Sequence, residues 1–562
     1  VALLQRRVGY LFACFFLLLA LGATRAMYLG GLHGAALRRA AQTQQLTDEA
    51  VPAQRGTITD RNGVALAISE PAEQITADPY LVRDTPQDPR HRSPLQDAQQ
   101  LAPLLGRTQA EVLALLSERT GFVYLARALP YGAAHTLLKL RIPGVQGVPV
   151  MRRVYPRGSL AGQVLGVVGA EGRGLGGLEY RDDSLLGGRS GERRVISDAI
   201  GQPVSISETR PERPGASIGL TLDANIQQRA EDELSAVAQI FHPRDSTAIV
   251  MDPRSGAVLA MASWPALNPN NPGSAAVAAL ENRAISFDYE PGSTFKSVVV
   301  SGALQDGLIT PDSGFEIPDQ IRVADRTIHD DTEHPGESLT TAQILAQSSN
   351  VGAIKIGLLE GAARFDGWVR RFGFGAPTGI DLPGEERGEA LPLKRYSGSS
   401  MGNLPIGQGE LVTPIQMASA YAAIANGGVL RAPHVVRSID GRPAPEPLGR
   451  RIISRRTAAE LRSMLEGVLG PGGTASQVSV PGYQLAGKTG TASKIDPRTG
   501  EYSKSAYVAS FVGFAPAEDP KLLCAVIVDE PQSGSIYGGA VAAPAFGQIM
   551  EFALPYLGIA PQ

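Results

Sequence analysis

Cysteine is nearly absent from this sequence: two residues in 562. Cys14 lies inside an apolar run near the start, and Cys524 inside an apolar, strand-like run near the end. A disulfide scaffold is therefore excluded, and two cysteines cannot build a cysteine-based metal cluster. An excess of charge of one sign is missing as well. Lys+Arg 52 against Asp+Glu 55 leaves a formal net charge of -3. With no basic stripe and no RNA-binding motif, a nucleic-acid partner is not expected. No repeat of fixed period and no extended low-complexity tract occurs. The remainder is globular in composition, 43% hydrophobic and 19% charged, which is enough to bury real cores. At roughly 150 residues per domain, the length implies two to four units.

One long hydrophobic run is present. Val8–Thr24 is uncharged and almost wholly apolar, about 17 residues, close to the lower limit for crossing a bilayer. Arg6 and Arg7 precede it. Positive charge on that side keeps it in the cytosol and exports the bulk of the chain. Arg25, just after the run, opposes this slightly. The expectation is a single-pass anchor. A cleaved signal peptide is the alternative, with Ala20 and Ala23 as small residues for cleavage.

Local patterning changes along the chain. Ala35–Glu49 is polar and Ala/Gln-rich and reads as a short helix or stalk. Gly56–Thr59 and Val64–Ser69 flank Asn62-Gly63, a dipeptide suited to the positive φ of a hairpin turn. Thr85–Pro94 reads as a loop and Leu95–Arg119 as helix. Val150–Gly201 is glycine-rich and reads as turns between short strands. Its Gly172–Gly177 cluster lacks the strand–loop–helix order of a phosphate cradle. Pro211 and Pro214 suggest a linker. From Ser246 onward, Ala248–Asp252 and Ala257–Ser263 read as a hairpin. Asn282–Leu304, Leu339–Glu360 and Pro414–Ala425 read as helical. Gln484–Ala492, Val508–Phe514 and Leu522–Asp529 read as strands, and Val541–Phe552 as a closing helix. Strands, then helices, then strands predict one antiparallel sheet with helices packed on it, an α+β fold.

Three short motifs fall in this second region. Ser293-Thr294-Phe295-Lys296 follows Pro291-Gly292. Residues three apart on a helix are neighbours, so Ser293 and Lys296 share one face of the first turn. A serine hydroxyl needs a base within reach to become a nucleophile. A lysine serves only if burial or nearby positive charge lowers its pKa. Alone the motif is weak, since Ser-x-x-Lys arises about once by chance in a chain this long. Ser348-Ser349-Asn350 offers a hydroxyl to shuttle a proton and an amide to hold a lysine and a substrate backbone group; alone it reads equally as a helix cap. Lys488-Thr489-Gly490-Thr491 ends a strand-like run. It offers a cation and two hydroxyls for a carboxylate, and Gly490 lets a ligand lie close to the backbone. The ordered set of three is what carries the signal.

With these motifs the sequence resembles the class B penicillin-binding proteins over almost its whole length. The likeness runs through RGTITDRNGVALA (Arg55–Ala67), GLGGLEYRDDSLLGG (Gly174–Gly188), LTLDANIQ (Leu220–Gln227), YEPGSTFK, QSSNVG, IGQGELVTPIQMA (Ile406–Ala418), GKTGTA and YGGAVAAPAFG (Tyr537–Gly547). The last looks most like the division-specific subgroup. The resemblance implies an α+β penicillin-binding serine-transpeptidase fold, an antiparallel sheet with helices on both sides. It adds an elongated, mainly-β N-terminal pedestal and one transmembrane helix. The implied partition is a cytoplasmic tail over 1–7, an anchor over 8–28, a pedestal over 29–210, a linker over 211–245 and a transpeptidase domain over 246–562.

The resemblance also implies roles. Ser293 attacks the carbonyl between the two terminal D-alanines of a peptidoglycan stem peptide, and Lys296 accepts its proton. Ser348 passes a proton to the leaving D-alanine. Asn350 fixes Lys296 and the substrate amide. Lys488, Thr489 and Thr491 bind the terminal carboxylate, beside Gly490, and backbone N–H groups of Ser293 and Thr491 form the oxyanion hole. β-Lactams acylate Ser293 as mimics. Partners would be stem peptides, division proteins that include a polytopic glycan-polymerising membrane protein, and the bacterial cell membrane itself, with the catalytic domain outside the cytoplasm. No cofactor and no metal are expected. The middle motif is Ser-Ser-Asn rather than Ser-Asp-Asn, which tilts away from class A β-lactamases. No deacylating glutamate and no glycosyltransferase signature are recognisable. An elongation-type transpeptidase, or a β-lactam-binding sensor without turnover, would share every one of these residues. His329 and His334, beside Asp330, Asp331 and Glu333, have turn composition and read as a solvated loop rather than a metal site. Phe295 reads as core. Ser493–Ser505 either borders the groove or is plain surface.

Overall fold

The computed structural model describes residues 2–29, 46–83, 93–197 and 203–561. The chain begins with a helix, Ala2–Met27. Its Arg6–Met27 stretch, 22 residues, is long and apolar enough to cross a membrane and is not buried by any of the described residues. At 1.5 Å per residue that stretch is about 33 Å long, against a hydrocarbon core of about 30 Å. Most of the expected stalk, and the loop up to Arg92, lie outside the described residues. Leu46–Val51, at the end of the stalk, is a strand.

Two compact units are defined by packing, and both are discontinuous in sequence. The smaller comprises Val1–Gln54, Pro71–Met151 and Gly188–Gly215; the larger comprises Arg55–Glu70, Arg152–Gly187 and Ala216–Gln562. The expected partition at 210 and 246 follows chain order, and packing does not. Buried charge is one reason. Arg55 Nε meets Glu179 Oε2 at 2.5 Å, Arg153 Nε meets Glu179 Oε1 at 2.6 Å, and Arg55 Nη1 meets Asp183 at 2.7 Å. Glu179 is fully buried, and a buried carboxylate must be paired. This network joins 55–70 to 152–187, and the bonds of Asn62 Nδ2 to Asp223 at 2.9 Å and of Ala161 N to Glu231 Oε1 at 2.8 Å tie both segments into the larger unit.

The smaller unit holds more helix than expected. Ser93 caps Pro94–Leu105 and Thr108 caps Gln109–Leu116, each with a reciprocal capping box. The expected helix over Leu95–Arg119 breaks between them, at Gly106 with φ 64°. With Tyr131–Leu138 these helices bury Leu101, Val112, Leu116 and Leu137 against Ile75 and Leu125 of two paired strands. Leu46–Val51, Gly191–Ser197 and Pro203–Arg210 form a separate antiparallel sheet.

Within the larger unit the elements that position the site are, in chain order, α1 (Ala224–Phe241), β1 (Asp245–Met251), β2 (Val258–Trp264), α2 (Lys296–Gln305), α3 (Thr341–Gln347), α4 (Asn350–Glu360), α5 (Pro414–Ala425), α6 (Arg455–Glu466), β3 (Ala486–Ile495), β4 (Tyr502–Ala515), β5 (Leu522–Asp529) and α7 (Ala543–Tyr556). Residues 211–245, expected to form a linker, instead supply α1, which is capped by Asp223 and packs on β1 and β2. The five strands form one antiparallel sheet in the order β2-β1-β5-β4-β3. Every residue of β1 and β5 is buried, as central strands covered on both faces require. The pair α1 and α7 packs on it, and so do α5 and α6, with α2 packed on α6. α5 is buried along its whole length. Strand β3 is the last in the order, with one edge unpaired.

Helix α2 crosses this core and passes over Glu360, on α4, at Gly302. Glu360 is 4% exposed, and neither carboxyl oxygen has a hydrogen-bond partner among the described residues. Burial, with Asp306 adding repulsion, pushes its pKa up to about 8. A raised carboxyl pKa means the folded state holds a proton that the unfolded state has released. Stability therefore falls as pH rises from about 4.5 to above 8. Glu360→Gln imitates the protonated form. It should melt within a degree or so of wild type at pH 5, and a few degrees higher at pH 9 by thermal denaturation.

Candidate active site

Ser293 and Lys296 sit where a 3-10 turn, Gly292–Phe295, passes into α2. Phe295 fills the core against Phe365 and Phe374, which fixes the turn from beneath. Tyr421 on α5 fixes it from the side: its OH donates to Thr294 O at 2.8 Å and lies 2.9 Å from Ser297 Oγ. Ser293 remains partly exposed while Lys296 is fully buried.

The expected helix over Leu339–Glu360 is broken, and the break is functional in form. α3 ends at Ser348, which takes left-handed backbone angles, φ 65° and ψ 35°. A non-glycine residue there costs about 1–3 kcal/mol. The kink turns the Ser348 carbonyl and hydroxyl toward α2. Lys296 Nζ donates to Ser348 O at 2.6 Å, to Asn350 Oδ1 at 2.7 Å and reaches Ser348 Oγ at 3.3 Å. Ser349 caps α4 through Gly352 N at 2.9 Å.

The third motif lies on β3. Lys488, Thr489, Gly490 and Thr491 face Val512, Phe511, Ser510 and Ala509 of β4. Lys488 is also fully buried, and its Nζ lies 3.3 Å from Thr489 O. Thr489 Oγ1 pairs with Thr474 Oγ1 at 2.7 Å, and Thr491 Oγ1 accepts from Gly538 N at 3.1 Å. The strand lies directly against the serine turn: a Cβ on Gly490 would stand 3.0 Å from Pro291 O, and one on Gly292 would stand 3.0 Å from Thr491 O. All three motifs therefore meet in one place.

The electrostatics stem from this proximity. Burial lowers the Lys296 pKa to about 8, with Asp331 and Asp330 holding it back. Burial also lowers Lys488 strongly, and the neighbouring charge of Lys296 lowers it further. At pH 7 about one Lys296 in ten is neutral and able to accept a proton. No group of metal-ligating side chains occurs among the described residues. A cavity of about 820 Å³ lined by Arg61, His434 and Leu557 holds none of the residues of the three motifs.

Several contributors are not announced by the sequence. The loop read as solvated, His329–His334, packs on the start of α4: Asp330 Oδ1 accepts from the backbone of Asn350 and from Val351 N at 3.1 Å, and Asp330 Oδ2 accepts from Ser349 Oγ at 2.9 Å. Gly407, inside the IGQGELVTPIQMA segment, accepts from Gly292 N at 3.1 Å. Tyr502, at the foot of the Ser493–Ser505 hairpin, donates to buried Glu290 Oε1 at 3.1 Å, so that hairpin borders the serine turn. These contacts join residues far apart in the chain, and no local pattern signals them.

The fold and the three convergent motifs define a penicillin-binding type of serine acyltransferase domain. Residues 246–551 match the model of the penicillin-binding protein transpeptidase domain, and residues 50–220 match that of the penicillin-binding protein dimerisation domain. Penicillin-binding protein PbpB of Mycobacterium tuberculosis is 35% identical over 96% of this chain and 83% of that protein. Peptidoglycan D,D-transpeptidase FtsI of Escherichia coli K12 is 33% identical over 99% of this chain and 92% of that protein. Among solved structures, penicillin-binding protein 3 of M. tuberculosis superposes with a TM-score of 0.70 at 29% identity, over 92% of this chain and 98% of that one. The chain belongs to the class B penicillin-binding proteins, with the division-type members.

The approach of Gly407 to Gly292 gives a direct test of the packing behind the serine. Gly407 has φ 76°, and a methyl group there would overlap the Gly292 carbonyl. Gly407→Ala should lower the melting temperature by several degrees and slow penicillin acylation at least tenfold, read by stopped-flow or gel fluorescence.

Proposed function

We propose that this chain is a peptidoglycan D,D-transpeptidase that cross-links stem peptides through an acyl-enzyme on Ser293, in the septal wall made at division. The observation that carries this reading is the buried Lys296 amine, held by Ser348 and Asn350 one turn from a partly exposed serine. Three oxygens surround Nζ, and a neutral amine uses them in two ways. Two N–H bonds go to Ser348 O and Asn350 Oδ1, and the lone pair is left for a hydroxyl proton from Ser293 or from Ser348 at 3.3 Å.

In this reading the stem peptide adds to the unpaired edge of β3, and its terminal carboxylate meets Lys488, Thr489 and Thr491. Ser293 Oγ attacks the carbonyl between the terminal D-alanines while Lys296 takes the proton. The oxyanion is met by the backbone N–H groups of Ser293 and Thr491, donors worth about 3 kcal/mol each in serine hydrolases. Ser348 delivers the proton to the departing D-alanine, and an amine from a second stem peptide takes the acyl group. The incoming carboxylate favours the charged form of Lys488. Its repulsion then pushes Lys296 toward the neutral form, so substrate binding itself prepares the base. β-Lactams would enter the same steps as acylating mimics; penicillin-binding protein 3 of M. tuberculosis has been solved with ampicillin and with aztreonam. Arg6 and Arg7, at the start of the apolar stretch, support an inner-membrane anchor with the chain that follows it outside the cytoplasm. A polytopic glycan polymerase and other division proteins are the partners expected of such a chain.

Fluorescent penicillin should label the wild type covalently, leave Ser293→Ala unlabelled, and label Lys296→Ala at least 100-fold more slowly. Equal labelling of Ser293→Ala would refute the proposal. Because the base must be neutral, the wild-type acylation rate should climb as pH rises through about 8, reaching a plateau near pH 9–10.

A further inference from the structure

The loop from His329 to His334 leaves the strand Arg326–His329 and passes over the start of α4. Its two carboxylates have different duties. Asp330 is committed to the backbone of α4, to Ser349 Oγ and to His334 Nε2 at 3.3 Å. Asp331 is exposed, and its contact is with the catalytic amide: Asn350 Nδ2 donates to Asp331 Oδ1 at 3.1 Å and to His329 O at 3.0 Å. Both hydrogens of that amide are thereby engaged. The oxygen is left turned toward Lys296 Nζ at 2.7 Å. A half-turn of the amide would set two donors, Nδ2 and Nζ, against each other and leave Asp331 facing an oxygen.

The charge of Asp331 also reaches both buried amines. It favours the protonated form of Lys296 and of Lys488. The charged groups facing Lys296 are Asp330 and Asp331 from this loop and Lys488 from β3; Ser348 and Asn350 are neutral. Of the two carboxylates, Asp330 cannot be altered without stripping the start of α4, whereas Asp331 can.

We propose that Asp331 is a positioning residue that locks the Asn350 amide with its oxygen on Lys296 and, through its charge, restrains Lys296 as a base in the empty groove. The inference rests on the acyl-transfer reading above. It also carries a consequence for turnover. A substrate carbonyl that takes a hydrogen of Asn350 Nδ2 must displace His329 O or Asp331, and where it displaces Asp331 the lock on the amide is released as the groove fills.

The test is the pH profile of acylation by a penicillin, whose own carboxylate stays ionised throughout, from pH 6 to 10 on full-length protein in detergent. Asp331→Asn keeps an acceptor oxygen for Nδ2 and removes the charge. Its rising limb should move to lower pH by roughly 0.5–1 unit, with the plateau within about threefold of wild type. Asp331→Ala should show the same displacement with a plateau about fivefold lower or more, because the amide loses a partner. Glu333→Gln, which removes a charge from the same loop that does not act on Lys296, should leave limb and plateau unmoved. A limb that stays in place in Asp331→Asn overturns the proposal, whether or not the plateau falls, since an ordinary loop contact would change only the amplitude. Failure of the wild type to be acylated would instead overturn the reading of Ser293, and this inference with it.

Discussion

A lysine amine enclosed by protein is the constraint on which the site depends. A charge in that position costs several kcal/mol unless it is paired, and Lys296 has no carboxylate as a direct partner. Its partners are a carbonyl, an amide oxygen and a hydroxyl. Neutral acceptors of that kind hold the amine in place without fixing a proton on it. A second enclosed amine, Lys488, adds repulsion. The acceptors come from a segment more than fifty residues away in the chain, so this environment of Lys296 exists only when α2, the α3–α4 break and β3 are packed together.

Several features of the rest of the larger unit serve that packing. Phe295 anchors the serine turn in the core, Tyr421 ties it to α5, and the glycines at 292 and 407 let two backbone segments touch. The left-handed turn at Ser348 is strained, and the bond from Lys296 to its carbonyl offsets part of that strain. Asp330 completes the arrangement by satisfying the first backbone donors of α4, which no residue before that helix can do alone.

Much of this is legible in the sequence because short-range chemistry writes short-range patterns. β5 is legible over its full length, Leu522–Asp529, and α5 over Pro414–Ala425, since apolar runs and a Thr-Pro-x-Gln cap are local signals. The three motifs are visible for the same reason. The break at Ser348 is not, because Leu339–Glu360 is helical in pattern throughout and the bonds of Lys296 and Asp330 that hold the kink come from elsewhere in the chain. The place of Asp330 and Asp331 is hidden too: an acidic turn looks the same whether it faces water or a helix start. The extent of the larger unit is hidden because Arg55 and Glu179 pair across more than a hundred residues, with Arg153 joining them from the segment that holds Glu179. The relatives add the family and the domain pair; the geometry adds which side chains touch.

Strand β3 is the outermost of its sheet. An open row of backbone donors and acceptors is a template for joining any other extended chain, including a second copy of the same protein. Here the serine turn lies against that strand, with Pro291 O 3.0 Å from where a side chain on Gly490 would begin. A chain that paired there would run beside the segment whose Gly490 lies against the serine turn, so the edge open to association is also the one nearest Ser293.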